Sequence, residues 1–200
     1  MRWLMLYLRS RRAPLAAAVA VGCAVLTWSL WLAASNTREV GPELVLLTVL
    51  LMVTALTPTL VSPDAALERT AALRWLPRRA AHVLAGMLLV IGLLAVTLLT
   101  PARFTPELLV ARNAAGLLGL TALCATVISP ARSWFVPLGW TLAAILYPQG
   151  ESRLGQVLTW QAQDPRNGAA AVTAVALAVG GLGAYALAGP PRRAAAENAA

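Results

Sequence analysis

Six blocks of apolar residues, separated by short stretches rich in arginine, proline and carboxylates, organise this chain. They cover residues 13–34, 43–61, 81–100, 108–128, 134–147 and 168–188. A helix needs about 20 apolar residues to cross the hydrocarbon core of a bilayer. The fourth and fifth blocks are the weakest. The fifth offers only about 14–16 residues against that length and contains Pro137, so it is short, tilted or broken, and neighbouring helices must satisfy its freed backbone groups. If these two do not both cross, the count drops to four spans with a re-entrant hairpin. The pattern predicts an all-α fold: a polytopic transmembrane helical bundle of six spans. Residues 1–190 form a single transmembrane domain and residues 191–200 a cytoplasmic tail expected to be disordered.

Two stretches between the blocks carry a pattern of their own. In the first, Ser62 can cap a helix, Pro63 suits its first position and Asp64 favours the positive amino end. Ala66, Leu67, Thr70, Ala71 and Leu73 form a less polar side, Glu68, Arg69 and Arg74 a polar one, and Pro77 ends the segment. This reads as a short amphipathic helix at the cytoplasmic surface. It is either a basic loop that sets topology or a docking element for a cytoplasmic protein. The second stretch, 148–167, has a partly apolar side at Leu154, Val157, Leu158 and Trp160. It predicts a short helix dipping into the outer interface after the break at Pro148.

Composition agrees with lipid as the solvent. Of the 200 residues 59% are hydrophobic and 12% charged, with a mean hydropathy of +0.71. Soluble domains run nearer about 45–50% apolar and about 25% charged, and cannot hide so much apolar surface. All sixteen basic residues are arginine. A pI of about 11.2 could signal nucleic-acid binding, but the arginines flank apolar blocks, which is a topology pattern. With the amino terminus in the cytoplasm, eleven arginines and three carboxylates fall on inner segments, and five of each on outer ones. The inner face then carries +8 and the outer face no net charge, which puts both termini in the cytoplasm. Trp3, Tyr7, Trp75 and Trp134 fall near the inner boundary and Trp28, Trp31, Tyr147 and Trp160 near the outer one, as an aromatic belt requires. Trp140 falls in mid-span and is the exception. The amino terminus imitates a signal peptide, but block 13–34 is longer than the usual apolar region of about 7–15 residues and is expected to stay as a first span.

Candidate chemistry is sparse. No carboxylate lies in the middle of a span, where proton-coupled carriers and intramembrane hydrolases usually place one. The lone His82 sits at an inner boundary and reads as interfacial or packing. Cys23 and Cys124 read as small buried hydrophobes. The chain has no phosphate-binding glycine loop and no cluster of metal ligands, so neither an enzyme nor a cofactor is expected. Arg112 and Asn113 are the most unusual polar pair, because desolvating an arginine among apolar residues is costly. They mark a helix start, or else serve a substrate path or packing between spans. Small residues recur every fourth position at Ala16, Ala20 and Ala24, and again at Ala176, Gly180, Ala184 and Ala188. Such ridges allow close helix packing in lipid.

Three stretches resemble actinobacterial ABC transporter permeases. They are SPDAALERTAALRWLPRR over 62–79, ARNAAGLLGL over 111–120 and the opening LYLRSRRAP. The resemblance implies a type-2 ABC exporter permease of the bacterial cytoplasmic membrane. Such a protein has six spans, a coupling helix between spans two and three, and short helices outside between spans five and six. It works as a homodimer or heterodimer of permeases on a separate ABC ATPase subunit, with no nucleic-acid partner. Asp64, Leu67, Glu68, Arg69, Thr70 and Arg74 would then face that ATPase. The segment before the first block is shorter than in many such permeases. A non-transporting module, such as an immunity protein or the scaffold of a biosynthetic complex, is the alternative.

Overall fold

Proline punctuates the helices. Pro14 lies in the first turn of α2 (Ala13–Ala34) and Pro42 opens α3 (Pro42–Leu56), positions whose missing N–H costs no helical bond. Ser129 and Tyr147, each followed in the sequence by a proline, have extended backbone, as residues before proline favour. The computed structural model describes residues 2–61, 75–147 and 152–191, with side chains from Met5 onward. Besides α2 and α3 it contains α1 (Arg2–Ser10), α4 (Trp75–Val96), α5 (Glu107–Val127), α6 (Phe135–Leu146), α7 (Arg153–Leu158) and α8 (Gly168–Ala188). Short 3-10 turns extend α3 over Thr57–Leu60 and α4 over Thr97–Leu99. No strand occurs among the described residues; Glu39 and Arg103 form an isolated bridge.

Five helical segments are long and apolar enough to cross a membrane: Ala13–Ala34, Pro42–Leu60, Trp75–Leu99, Glu107–Val127 and Gly168–Ala188. The chain is therefore an all-α, multi-pass membrane protein. The fifth expected span, 134–147, is the helix α6, and its 12 residues reach only about 18 Å of a hydrocarbon core about 30 Å thick. The third span begins earlier than the expected residue 81. Trp75–Ala80 are already helical, and Pro77 lies in the first described turn rather than closing a preceding helix.

Helix α5 is the centre of the bundle. It packs against α8, α3, α4 and α6 and buries side chains on all its faces, from Leu109 to Ala125. Its closest neighbour is α8, which it meets backbone to backbone. A Cβ at Gly181 would collide with the Gly119 carbonyl, and one at Gly119 with Ala178 and Leu177 of α8. Helix α2, by contrast, buries only Ala16, Ala20, Ala24 and Thr27, and leaves Leu15, Val19, Leu26 and Leu30 exposed to the surroundings. The small-residue ridge expected on span one is thus a packing face. The ridge expected on span six does not pack within the chain. Ala176, Gly180 and Ala188 are exposed, Ala184 is half-buried, and a Cβ on Gly180 would meet nothing within 4 Å. The face of α8 that packs is Ala170, Ala174, Gly181 and Tyr185, beginning about 100° round the helix from the expected one.

The bundle has two chemically distinct ends. At one, Arg11 donates to the Tyr185 hydroxyl at 3.0 Å, and Tyr185 donates in turn to the Leu60 carbonyl at 2.8 Å. Arg11 also lies over the Tyr7 ring, which His82 meets edge-on, so His82 does serve packing. Gly189 ends α8 with φ +66 and lies against the Arg79 guanidinium, leaving no room for a side chain there. At the other end, Val40 donates to the Arg103 carbonyl at 2.9 Å and Arg103 to the Arg38 carbonyl at 2.7 Å. The four described carboxylates, Glu39, Glu43, Glu107 and Asp164, all lie at this second end.

Candidate functional site

The carboxylate-rich end is built on α5 and on the segment that leads from α7 to α8. Ser152 caps α7 by accepting from the Gly155 N–H at 3.1 Å, and Asn167 caps α8 by accepting from Ala170 at 3.0 Å. Between these caps the chain folds inward rather than over the surface. Trp160 is fully buried and its ring lies on Gly116, where a Cβ would come within 2.7 Å of Cζ3. Gly116 is nine residues into α5, so the indole reaches about 13 Å down the helix. The chain then climbs back. Asn113, six residues in, donates to the Gln161 carbonyl at 3.2 Å. Arg112, five residues in, donates to the Gln163 and Asp164 carbonyls at 2.6 and 2.7 Å.

Irregular backbone at this depth is tolerable only where protein or a wet cavity satisfies its polar groups. Arg112 and Asn113 are how this chain does it. The arginine is 6% exposed and the asparagine 0%, so these residues do not merely mark a helix start. They serve packing, by fastening a re-entrant loop to the central helix. Trp160, expected near the outer interface, is buried and anchors that loop. Trp140, the exception to the aromatic belt, donates from Nε1 to the Leu158 carbonyl at 2.7 Å. Its mid-span position follows from the loop reaching down beside α6. Changing Arg112 to methionine removes both charge-assisted bonds and leaves two carbonyls unpaired, a loss of about 1–3 kcal/mol. We expect a lower unfolding temperature and faster proteolysis between residues 152 and 167. Lysine should restore only part of the loss, since a single ammonium does not present the guanidinium's planar fork to two carbonyls. Unchanged proteolysis in the methionine variant would remove Arg112 from this role.

In front of the loop lies an open cleft of about 810 Å³. Its walls come from the start of α3, the start of α5, the end of α6 and residues 161–165. Leu46, Leu109, Ile145 and Tyr147 supply apolar surface, and Glu39, Glu43 and Asp164 supply carboxylates. Sequence reasoning found Arg112 and Asn113 behind this cleft but missed Gln161, Glu39 and Glu43, which line it. Nothing in local spacing links residues 39–46, 105–109, 144–147 and 161–165.

The chain matches no family model, no curated protein and no solved structure.

A second, smaller cavity of about 580 Å³ lies at the arginine-rich end, between Arg11, Arg12, Thr57, Pro58 and Trp134. The residues expected to face an ATPase at that end, Asp64, Leu67, Glu68, Arg69, Thr70 and Arg74, lie outside the described residues. Cys124 is buried and Cys23 half-buried, both as free thiols. Among the described residues no three of His, Cys, Asp and Glu come close enough to hold a metal ion together.

Proposed function

We propose that this protein is the membrane-spanning subunit of an ABC-type exporter in a bacterial cytoplasmic membrane, paired with a second permease and driven by a separate ATPase. The observation that carries the reading is the order of elements. A short helix, α1, precedes the first long span, and a short α6 is followed by the re-entrant α7 segment before the last span. This is the layout implied by the resemblance that residues 62–79 and 111–120 carry. The nine residues of α1 supply the brief amino-terminal helix that the sequence allows.

Charge supports an orientation. Arg9, Arg11, Arg12, Arg78, Arg79 and Arg132 lie at the end of the bundle opposite the described carboxylates. Arginine is retained on the cytoplasmic side during insertion. In this reading that end, both termini and residues 62–74 face the cytoplasm. The chain has no ATPase activity of its own; a partner binding at 62–76 supplies the energy by favouring one conformation of the dimer.

One observation favours the alternative of a non-transporting module. The centre of a single chain is solid, with α5 buried along most of its length and fused backbone to backbone with α8. An exporter built from this chain must therefore form its passage between two subunits. Affinity purification in mild detergent separates the two readings. An exporter subunit brings down an ATPase, and changing Glu68, Arg69 and Arg74 together to alanine releases it. Recovery of no ATPase, or undiminished recovery with the triple variant, would sink the exporter reading and favour the module.

A further inference from the structure

We propose that the cleft at the carboxylate-rich end is a binding site for an organic cation, an ammonium or similar group carried on an apolar body. Two independent features of the cleft point to a ligand.

The first is charge. Glu39, Glu43 and Asp164 line the cleft and no arginine does. Asp164 is partly offset by Arg112 behind it, whose guanidinium binds the Asp164 carbonyl. Glu39 and Glu43 make no ion pair with a described residue. A cation in the cleft therefore meets carboxylates at the wall, while Arg38, Arg103, Arg153 and Arg166 of the same end lie outside its lining.

The second is a buried amide without partners. Gln161 forms part of the wall and is 1% exposed, yet neither its Oε1 nor its Nε2 has a hydrogen-bond partner among the described residues. Beside it Asn113 is 0% exposed and leaves its Oδ1 unpaired. Buried amides are almost always paired, because leaving them unpaired forfeits their hydration. Of the two, Gln161 belongs to the wall of the cleft, and its unpaired Oε1 is an acceptor for an N–H donor, which an amine or ammonium supplies.

The remaining walls set the ligand's body. Leu46, Leu109, Ile145 and the exposed ring of Tyr147 offer apolar and aromatic surface, and an aromatic face also attracts a cation. The volume lies within the range of about 300–1,000 Å³ usual for small-molecule sites. A bare metal ion fits poorly, since the described carboxylates do not converge into a group that could coordinate one. Binding at this cleft requires no ATPase, so the proposal stands or falls separately from the exporter reading.

The test uses the purified full chain in lipid nanodiscs and two dyes that share a xanthene ring, rhodamine 6G (a cation) and fluorescein (an anion). Fluorescence polarisation should show saturable rhodamine 6G binding above that of empty nanodiscs, and none for fluorescein. The exposed pair Glu39→Gln and Glu43→Gln together should weaken binding by about tenfold, since two exposed ion pairs of up to about 1 kcal/mol each are lost. Glu107→Gln, at the same end but outside the cleft, should bind as the unaltered protein does. Gln161→Leu should also weaken binding while leaving the unfolding temperature equal or higher, because it removes unpaired polar atoms from a buried position. A purely structural glutamine would instead lower that temperature on replacement. Absence of saturable rhodamine 6G binding, equal binding of fluorescein, or unchanged affinity in the Glu39/Glu43 double variant overturns the proposal.

Discussion

Valine at position 181 lowers the unfolding temperature sharply, whereas valine at position 180 leaves it nearly unchanged. The two glycines are neighbours on α8 and differ only in what they face. A Cβ at Gly181 would collide with the backbone carbonyl of Gly119, and a backbone cannot swing aside as a flexible side chain can. The whole α5–α8 contact must open. Overpacking typically costs about 1–3 kcal/mol and occasionally more, and a backbone clash at the bundle centre belongs at the upper end. For a domain of this size about 3 kcal/mol corresponds to a drop of roughly 6–12 °C. Gly180 has nothing within 4 Å of the same added atom, so its replacement falls in the range of about ±0.5 kcal/mol usual for surface changes. Tryptophan-fluorescence melting of the two variants in one detergent decides the matter. If the two behave alike, or if Gly180 is the sensitive one, the assignment of the packing face is wrong.

Truncating Trp160 to alanine releases the re-entrant loop. The indole is the largest fully buried side chain among the described residues, and removing such a ring costs about 3–5 kcal/mol through lost burial and the cavity left behind. Phenylalanine should cost much less, because the Trp160 Nε1 has no hydrogen-bond partner among the described residues to lose. The partner of the ring supplies an internal control. Leucine at Gly116 alone collides with the indole, yet combined with Trp160→Ala it fills part of the vacated space. The double variant should therefore be more stable than the sum of the single changes predicts, by about 1 kcal/mol or more, the scale of coupling between residues in contact. Strict additivity in melting temperature and in proteolysis of residues 152–167 would show that the ring does not rest on α5 at that point.

These two contacts also show where reading the chain in order stops. The small-residue ridge of span one was legible because Ala16, Ala20 and Ala24 were the regular feature of that helix and proved to be its packing face. Span six offered several such rows, since its residues are almost all alanine, glycine, valine or leucine. The row chosen by regular spacing faces outward. Gly116 and Gly119, three residues apart and unremarkable by spacing, are the two positions where α5 admits a ring and a backbone. Arg112 stood out because an arginine among apolar residues demands a partner, but that partner is a pair of carbonyls about fifty residues further along the chain. Glu39, Glu43 and Gln161 gave no signal at all. Each is an ordinary residue in its own neighbourhood, and only tertiary approach makes them one surface.

By itself the sequence determined the solvent, the helical class, the approximate spans and the uneven placement of arginine along them. These follow from transfer free energies summed along a continuous stretch, which need no partner helix to evaluate. The tertiary structure alone decided which face of each helix packs, how far the α7 loop descends, and which polar groups meet in the cleft. The physical reason is that in lipid both the buried and the outward faces of a helix are apolar. Hydrophobicity then carries no information about direction, and shape and hydrogen bonding between distant residues must supply it.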